Sequence, residues 1–288
     1  MKVDSDGWPN LNQPGGDVKE RREVVRLLGI QRDPQNLPSL VKRLQDPNSN
    51  VRGMACRALG WLKQAQVIPH LLSMTEDQEP SVRQAAIASL ALCPEPMCDE
   101  ALVKLMLKDT DAYVRADACR VSGWLGLAAT SQACLKVLEL DDADVARAQA
   151  ARALGRLGYA AATSALIDAL RSKHVPLRTH AALALCELGD TDASLKIEAR
   201  ADDSDAEMRA VVVRITTTMK TPRCQGVAIA ALEDPNPGVR ATAAVALMRL
   251  NIHENIGVLK TKLDDPHPEV RARVREAIES IKTSRTAT

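Results

Sequence analysis

The stretch DDADVARAQAARALG, at residues 141–155, contains the pattern that decides the fold. It has the form Asp-x5-Arg-x2-Ala-x3-Leu-Gly, and the stretch DPNSNVRGMACRALG repeats it at residues 46–60. The arginine recurs at steps of 31 or 32 residues: Arg21, Arg52, Arg83, Arg115, Arg147, Arg178, Arg209, Arg240 and Arg271. A fixed period of this length is typical of stacked supersecondary units with one continuous core, and such arrays mostly bind other macromolecules.

An aspartate stands six residues before most of these arginines. The complete pairs are Asp46 and Arg52, Asp77 and Arg83, Asp109 and Arg115, Asp141 and Arg147, Asp203 and Arg209, Asp234 and Arg240, and Asp265 and Arg271. Ser172 takes the place of the aspartate before Arg178. A carboxylate near a helix start faces free N–H groups, and a fork-shaped guanidinium can bind it.

The spacing of apolar residues predicts an α-helix at each arginine. The residue before the arginine forms a reference column: Glu20, Val51, Val82, Val114, Ala146, Leu177, Met208, Val239 and Val270. Apolar residues follow at i+4, i+7, i+8 and i+11, which is one buried face of a helix. Helix-capping residues precede the column at Asn48, Asp111, Asp205 and Asn236.

A shorter helix precedes the helix at each arginine, so each unit is a helical hairpin. We call the shorter helix the first helix of the unit and the helix with the arginine its second helix. We predict first helices at Leu37–Leu44, Ile68–Thr75, Leu102–Lys108, Gln132–Leu138, Ser164–Leu170, Leu195–Ala201, Val227–Leu232 and Ile256–Leu263. The sequence therefore predicts an all-α protein, an α-solenoid. Gly60, Gly123, Gly155 and Gly189 lie near the ends of second helices, where turn conformations account for them.

Composition restricts the class of partner and the compartment. Lys plus Arg number 38 against 37 for Asp plus Glu, so no overall positive field attracts nucleic acid or anionic lipid. The seven cysteines include no C-x-x-C pair, which favours reduced core thiols over disulfides or metal ligands. The chain lacks a signal-peptide pattern and an apolar run of membrane-spanning length, so we predict a cytoplasmic protein.

The repeated unit resembles the HEAT repeat, and its length is similar to the short HEAT-like units first named for phycobilisome (bilin) lyases. The resemblance covers residues 17–282, as about eight hairpins with an N-terminal capping helix. It implies that the Asp and Arg columns form a hydrogen-bonded ladder between adjacent turns, so we predict a structural role for the seven pairs. Residues 1–16 are predicted to be a flexible arm, in which Trp8 packs or binds, and residues 283–288 a tail.

The sequence offers no set of catalytic residues. Deoxyhypusine hydroxylase, which also resembles a HEAT array, binds iron through several His-Glu dipeptides, whereas this chain has only His253-Glu254. We therefore expect no metal, no cofactor and no catalysis. Residues 172–220 should be the least stable stretch, because Ser172 interrupts the aspartate column and residues 211–218 are rich in β-branched side chains.

A binding face is predicted from helix geometry. At 100° per residue, offsets of +3, +6, +10 and +13 from the reference column lie opposite the core. These offsets hold the eight residues that we predict to bind, Arg57, Trp61, Arg120, Trp124, Arg152, Arg156, Tyr159 and Arg214, and also Met54, Asp117, Gln149, His180, Leu183, Glu187 and Arg249. The resemblance implies that this face lines a concave groove. Trp and Arg are frequent at binding hot spots, but packing of the two tryptophans over neighbouring helices is an equal alternative.

The sequence thus favours a non-catalytic scaffold, adaptor or assembly factor that binds a protein or peptide with acidic and apolar residues. A bilin lyase subunit or chromophore-handling chaperone is the alternative, because arginines could hold propionates while indoles contact a tetrapyrrole. Nucleic-acid binding is a third possibility, against which the net charge argues.

Overall fold

The computed structural model describes residues 17–93, 98–189 and 191–286. The predicted arm, with Trp8, lies outside these residues. The chain divides into two compact units, unit 1 (Met1–Val137) and unit 2 (Leu138–Thr288).

Every regular element of the described ranges is helical, which confirms the predicted all-α fold class. The α-helices are α1 (Val18–Gln31), α2 (Leu37–Arg43), α3 (Ser49–Leu62), α4 (Ile68–Met74), α5 (Pro80–Leu90), α6 (Asp99–Lys108), α7 (Ala112–Leu125), α8 (Ser131–Leu140), α9 (Asp144–Arg156), α10 (Thr163–Ala169), α11 (Val175–Leu188), α12 (Thr191–Glu198), α13 (Ala206–Met219), α14 (Cys224–Ala231), α15 (Pro237–Leu250), α16 (Asn255–Lys260) and α17 (Pro268–Thr286). Short 3₁₀ turns precede α2, α4, α8 and α10.

The first helices lie within about four residues of their predicted bounds, with the largest difference at α12. We predicted a helix at Leu195–Ala201, whereas α12 covers Thr191–Glu198. The last helix, α17, continues to Thr286, into the segment that we assigned to a tail.

Hairpins stack side by side within each unit. In unit 1 the second helices α1, α3, α5 and α7 pack in chain order, and α2, α4 and α6 each pack on the second helix that follows them. In unit 2 the same order holds for α9, α11, α13, α15 and α17. Residues of the reference column, such as Val51, Val82 and Val114, are fully buried, as the periodicity predicts.

Both ends of the second helices have specific backbone geometry. The side chains of Asn48, Asp111, Asp205 and Asn236 accept N–H groups of the first turn, as predicted. At or next to the C-terminal ends, seven residues adopt left-handed backbone conformations: Arg32, Lys63, Gly126, Gly158, Gly189, Lys220 and Asn251.

The prediction that four glycines are turn residues holds only for Gly189, which has φ of +69°. Gly60, Gly123 and Gly155 lie inside helices and are buried. A Cβ atom on Gly155 would come within 2.5 Å of the Ala184 Cα atom, and one on Gly60 within 2.8 Å of the Ser89 Cβ atom. Close packing of neighbouring second helices therefore requires glycine at positions 60 and 155.

Candidate functional site

The recurrent arginines connect consecutive hairpins. The Arg52 guanidinium donates from Nε and Nη2 to the two carboxylate oxygens of Asp77, at 2.7 and 2.8 Å. Its Nη1 donates to the backbone carbonyls of Asp46 and Pro47 in its own hairpin. Two-point contacts of this kind join Arg21 to Asp46, Arg52 to Asp77, Arg83 to Asp109, Arg209 to Asp234 and Arg240 to Asp265. Each such contact is a rung between adjacent hairpins.

The other arginines of the column also donate to nearby oxygen atoms. Arg178 forms a rung with a single contact: it reaches Asp203 through Nη2 alone, at 2.8 Å, and its buried Nε has no hydrogen-bond acceptor among the described residues. Arg115 and Arg271 donate to carbonyls of their own hairpins. Arg147 donates to the Leu138 carbonyl and to Asp144 instead.

The carboxylates also hold their own turns. In each aspartate that forms a rung, one carboxylate oxygen also accepts the backbone N–H group two residues later. In Asp77 this donor is Glu79, at 2.9 Å. Burial alone would raise the pKa of Asp77, but the hydrogen bonds from Arg52 and from the Glu79 N–H group hold it below its usual value. The most repetitive residues are thus occupied in hydrogen bonds within the array.

The predicted binding face of unit 1 contains two tryptophans in different environments. Trp124, on α7, is 59% exposed. Trp61, on α3, is half-buried, and its Cε3 atom would lie 2.8 Å from a Cβ atom on Gly29 of α1. Packing therefore accounts for Trp61 but not for Trp124. Met54, which we placed on the solvent side, is buried, because neighbouring helices cover the +3 offset there.

The two arginines of this face also differ. Arg120 donates to Asp117, which in turn accepts a hydrogen bond from Gln84, so an adjacent carboxylate balances its charge. Arg57 is exposed and has no hydrogen bond or ion pair with the described residues. It is the guanidinium on this face that is available to an outside anion.

The structure adds two apolar residues that the sequence analysis did not select. Ile30 of α1, 51% exposed, and Leu92, half-buried two residues after the end of α5, occupy the same +10 offset as Trp61 and Trp124. These four residues, Ile30, Trp61, Leu92 and Trp124, form what we call the apolar row of unit 1. The signal was present in the sequence, since the offset identifies all four positions, but a search for aromatic and charged residues passes over Ile and Leu.

The corresponding face of unit 2 is polar. Arg152 is paired with Glu187 at 2.6 Å, and Tyr159 is half-buried just beyond α9. Arg156 and Arg214 are exposed, with no ion pair among the described side chains. Arg214 lines a groove of about 450 Å³ between α13, α15 and α17, together with Arg249, Glu269, Arg273 and Glu276.

His180 does not project freely into solvent, contrary to its predicted offset. Its Nδ1 lies 2.9 Å from the Ala148 carbonyl oxygen, so the half-buried ring bridges α11 and α9. Burial lowers the pKa of His180, and the neighbouring charges of Arg152 and Arg156 lower it further. A neutral imidazole that donates from Nδ1 fits this position.

The described ranges contain no group of three or more His, Cys, Asp or Glu side chains that could hold a metal ion. All seven cysteines are free thiols. None of the described helices is both long and apolar enough to cross a membrane. A larger cavity of about 1000 Å³ lies elsewhere in unit 2, around α14 and the turn before α13, and exposed charges of both signs line it.

Comparison with known proteins identifies the family. A model of HEAT repeats matches residues 13–91, 68–151, 99–187, 131–203 and 194–279. The crystal structure of YibA from Escherichia coli has 18% identity and a TM-score of 0.65, over 93% of this chain and 98% of that one. The complex of CpcE and CpcF of phycocyanin lyase from Nostoc sp. has 19% identity and a TM-score of 0.52, over 74% and 94%. No curated protein sequence matches the chain. The coverage of the repeat model shows that the chain belongs to the HEAT repeat family.

Proposed function

We infer that the chain is a non-catalytic scaffold that binds a protein segment on the face of unit 1 carrying the apolar row. The observation that carries this proposal is the exposure of Trp124 at the end of that row. A large exposed aromatic side chain among other apolar residues is typical of an interaction site.

The charges on this face favour an acidic segment. Arg57 has no internal partner and lies at the +6 offset, one turn of α3 before Trp61. A segment with apolar residues spaced to contact the row and a carboxylate near Arg57 would combine apolar burial with an ion pair.

Selection from a random peptide library against the full chain tests this proposal. We expect enriched peptides to combine Asp or Glu with Leu, Ile or Trp. Calorimetric titration of an enriched peptide should then show about tenfold weaker binding to Trp124→Ala. Arg57→Ala should also weaken binding, and to a greater extent at low ionic strength, where the charge is less screened.

Tyr113→Ala is the matched control. Tyr113 is on the same helix as Trp124 and is similarly exposed, at 63%, but occupies an offset outside the binding face. Its replacement should leave peptide affinity unchanged. Wild-type affinity in both Trp124→Ala and Arg57→Ala, with circular dichroism unchanged, would reject the site.

A bilin is the second candidate ligand. Its support is the likeness to a structure named as a phycocyanin lyase, together with the position of Trp124 on α7 about one helical turn after Arg120. Addition of a free bilin to the purified chain should then change its visible absorbance, and Trp124→Ala should reduce that change. An unaltered spectrum would leave the protein segment as the ligand.

A further inference from the structure

Unit 2 lacks one rung, between Arg147 on α9 and Ser172 in the turn before α11. The two residues are 25 positions apart, the same separation as Arg178 and Asp203, Arg209 and Asp234, and Arg240 and Asp265. Ser172 makes one of the two contacts that an aspartate makes at this position, because its Oγ accepts the His174 N–H group at 3.1 Å. The neutral hydroxyl supplies no anion to the guanidinium of the preceding hairpin.

The Arg147 guanidinium contacts acceptors of its own hairpin. Its Nε donates to the Leu138 carbonyl at 3.0 Å, and its Nη1 contacts Asp144 of its own helix at 3.2 Å. The Arg147 side chain is 31% exposed, compared with 15% or less for the rung arginines Arg178 and Arg209. Its charge is therefore only partly neutralised, by a half-exposed carboxylate.

The turn that contains Ser172 is accessible and basic. Ser172 is partly exposed and lies outside helices α10 and α11. Arg171 and Lys173 flank it and are exposed, and Arg171 has only a long, solvent-exposed contact with Asp168, at 3.6 Å. A dianion on Ser172 would thus be close in sequence to two cations and opposite a third, Arg147.

We propose that Ser172 is a phosphorylation site and that the phosphoryl group completes the missing rung. In the modification, the Ser172 Oγ attacks the γ-phosphorus of a nucleoside triphosphate bound by a protein kinase. The new O–P bond replaces the bond to the β-phosphate oxygen, the nucleoside diphosphate leaves, and the hydroxyl proton passes to a base of the kinase. The product carries a charge of about −1.5 to −2 and three strong acceptor oxygens, which suit a guanidinium.

The consequence is regulation of one junction. Phosphoserine at 172 draws the Arg147 guanidinium from Asp144 and the Leu138 carbonyl, and joins the hairpin of α9 to that of α11 as the other rungs join their neighbours. The chain then has a junction whose stability depends on a modifying enzyme. This inference does not depend on the ligand of unit 1.

The full chain with phosphoserine incorporated at position 172 during translation tests the proposal. We expect its melting temperature to rise by about 2–4 °C over the unmodified chain. In Arg147→Ala the same modification should give no rise. Ser172→Asp should give a smaller rise that also depends on Arg147, so the missing rung can be tested without the modified residue.

Phosphoserine at Ser204 is the matched control, since Ser204 is exposed in the corresponding turn before α13, where Asp203 already completes a rung. It should leave the melting temperature unchanged. No rise with phosphoserine 172, or an equal rise in Arg147→Ala, would overturn the proposal.

Two further arms separate modification from simple anion binding. Inorganic phosphate at 10 mM should not reproduce the rise in the unmodified chain, and a rise of the same size would make the turn a phosphate-binding site instead. A kinase that prefers basic sequences, with magnesium and a nucleoside triphosphate, should phosphorylate Ser172 in wild type, as read by peptide mass spectrometry. Failure to phosphorylate the folded chain would overturn the assignment of a modification site.

Discussion

Two arginines five positions apart on α3 have opposite environments. Arg52 is 7% exposed and binds Asp77 at two points, whereas Arg57 is exposed and has no partner among the described residues. Removal of one member of a buried pair leaves the other charge in the interior without a partner, which is costly.

We therefore predict that Arg52→Ala lowers the free energy of unfolding by about 3 kcal/mol. Arg57→Ala should change it by less than about 0.5 kcal/mol, since the side chain is on the surface. Urea denaturation of the two variants measures both values. Equal effects would show that the contact with Asp77 is not a stabilising one.

The cysteines give a second prediction at this scale. Burial raises the pKa of Cys56 to about 12 and that of Cys98 to about 11, so neither is a thiolate near neutral pH. Cys186, the one cysteine that is only partly buried, should react first with Ellman's reagent at pH 8, and Cys186→Ser should remove that phase. Seven thiols should react in denaturant. Fast reaction of several thiols in the native protein would contradict the packing described above.

At the scale of helices, glycine has two different roles. Gly155 of α9 lies against α11, where a Cβ atom would come within 2.7 Å of the Ala184 Cβ atom. Gly226 of α14 has nothing within 4 Å of the same position.

Gly155→Ala should therefore destabilise unit 2 by about 1–3 kcal/mol through overpacking. Gly226→Ala should stabilise it by about 0.5–1 kcal/mol, because alanine is the better helix former and meets no obstacle. Thermal unfolding followed by circular dichroism distinguishes the two signs, and a loss of stability in both variants would refute this reading of Gly226.

Residues 172–220 should exchange their amide hydrogens faster than the rest of the array, away from its ends. The rung at Ser172 is missing, and the hydroxyls of Thr216, Thr217 and Thr218 bond to carbonyls of α13 itself, which weakens helices slightly. Mass spectrometry after deuterium labelling makes the comparison. Uniform protection over all hairpins would contradict it.

At the scale of the whole molecule, the rungs of both units share one dependence on pH. Hydrogen bonds from Arg209 and Arg240 lower the pKa values of Asp234 and Asp265, and Asp77 in unit 1 is shifted in the same direction. A carboxyl whose pKa is lower in the folded state stabilises the protein at pH values above its unfolded-state pKa, which is about 3.9. This contribution is lost as the pH falls through the folded-state pKa.

We predict that the chain loses stability steeply below about pH 4. Asp234→Asn should be less stable than wild type at pH 7. The difference should shrink as the pH falls through the folded-state pKa of Asp234, because the wild-type carboxyl is then protonated in both the folded and the unfolded protein. Chemical denaturation over this range provides the measurement. A constant difference between the two proteins would exclude Asp234 as a source of the pH dependence.

The sequence predicted the helices well because each position recurs in up to nine units, so the core and the caps are repeated signals. It was less informative about exposure. Met54 and Trp124 both have offsets that point away from the core, yet Met54 is buried and Trp124 is 59% exposed. The difference depends on the side chains of adjacent helices, which vary from hairpin to hairpin. The glycines were misassigned for a related reason, since the approach of α9 and α11 depends on both sequences together.

The small number of aromatic residues gives the molecule a convenient optical property. The chain has three tryptophans, two tyrosines and no phenylalanine, and the buried hydrophobic core of the described residues contains no aromatic side chain. Trp61 and Trp124 belong to the apolar row, so much of the intrinsic fluorescence arises where a ligand is proposed to bind. Emission from the exposed Trp124 indole, a red-shifted component in water, should move to shorter wavelength when an apolar ligand covers it. The protein thus carries a natural reporter for its own proposed binding face, and Trp124→Phe would remove that component without an added label.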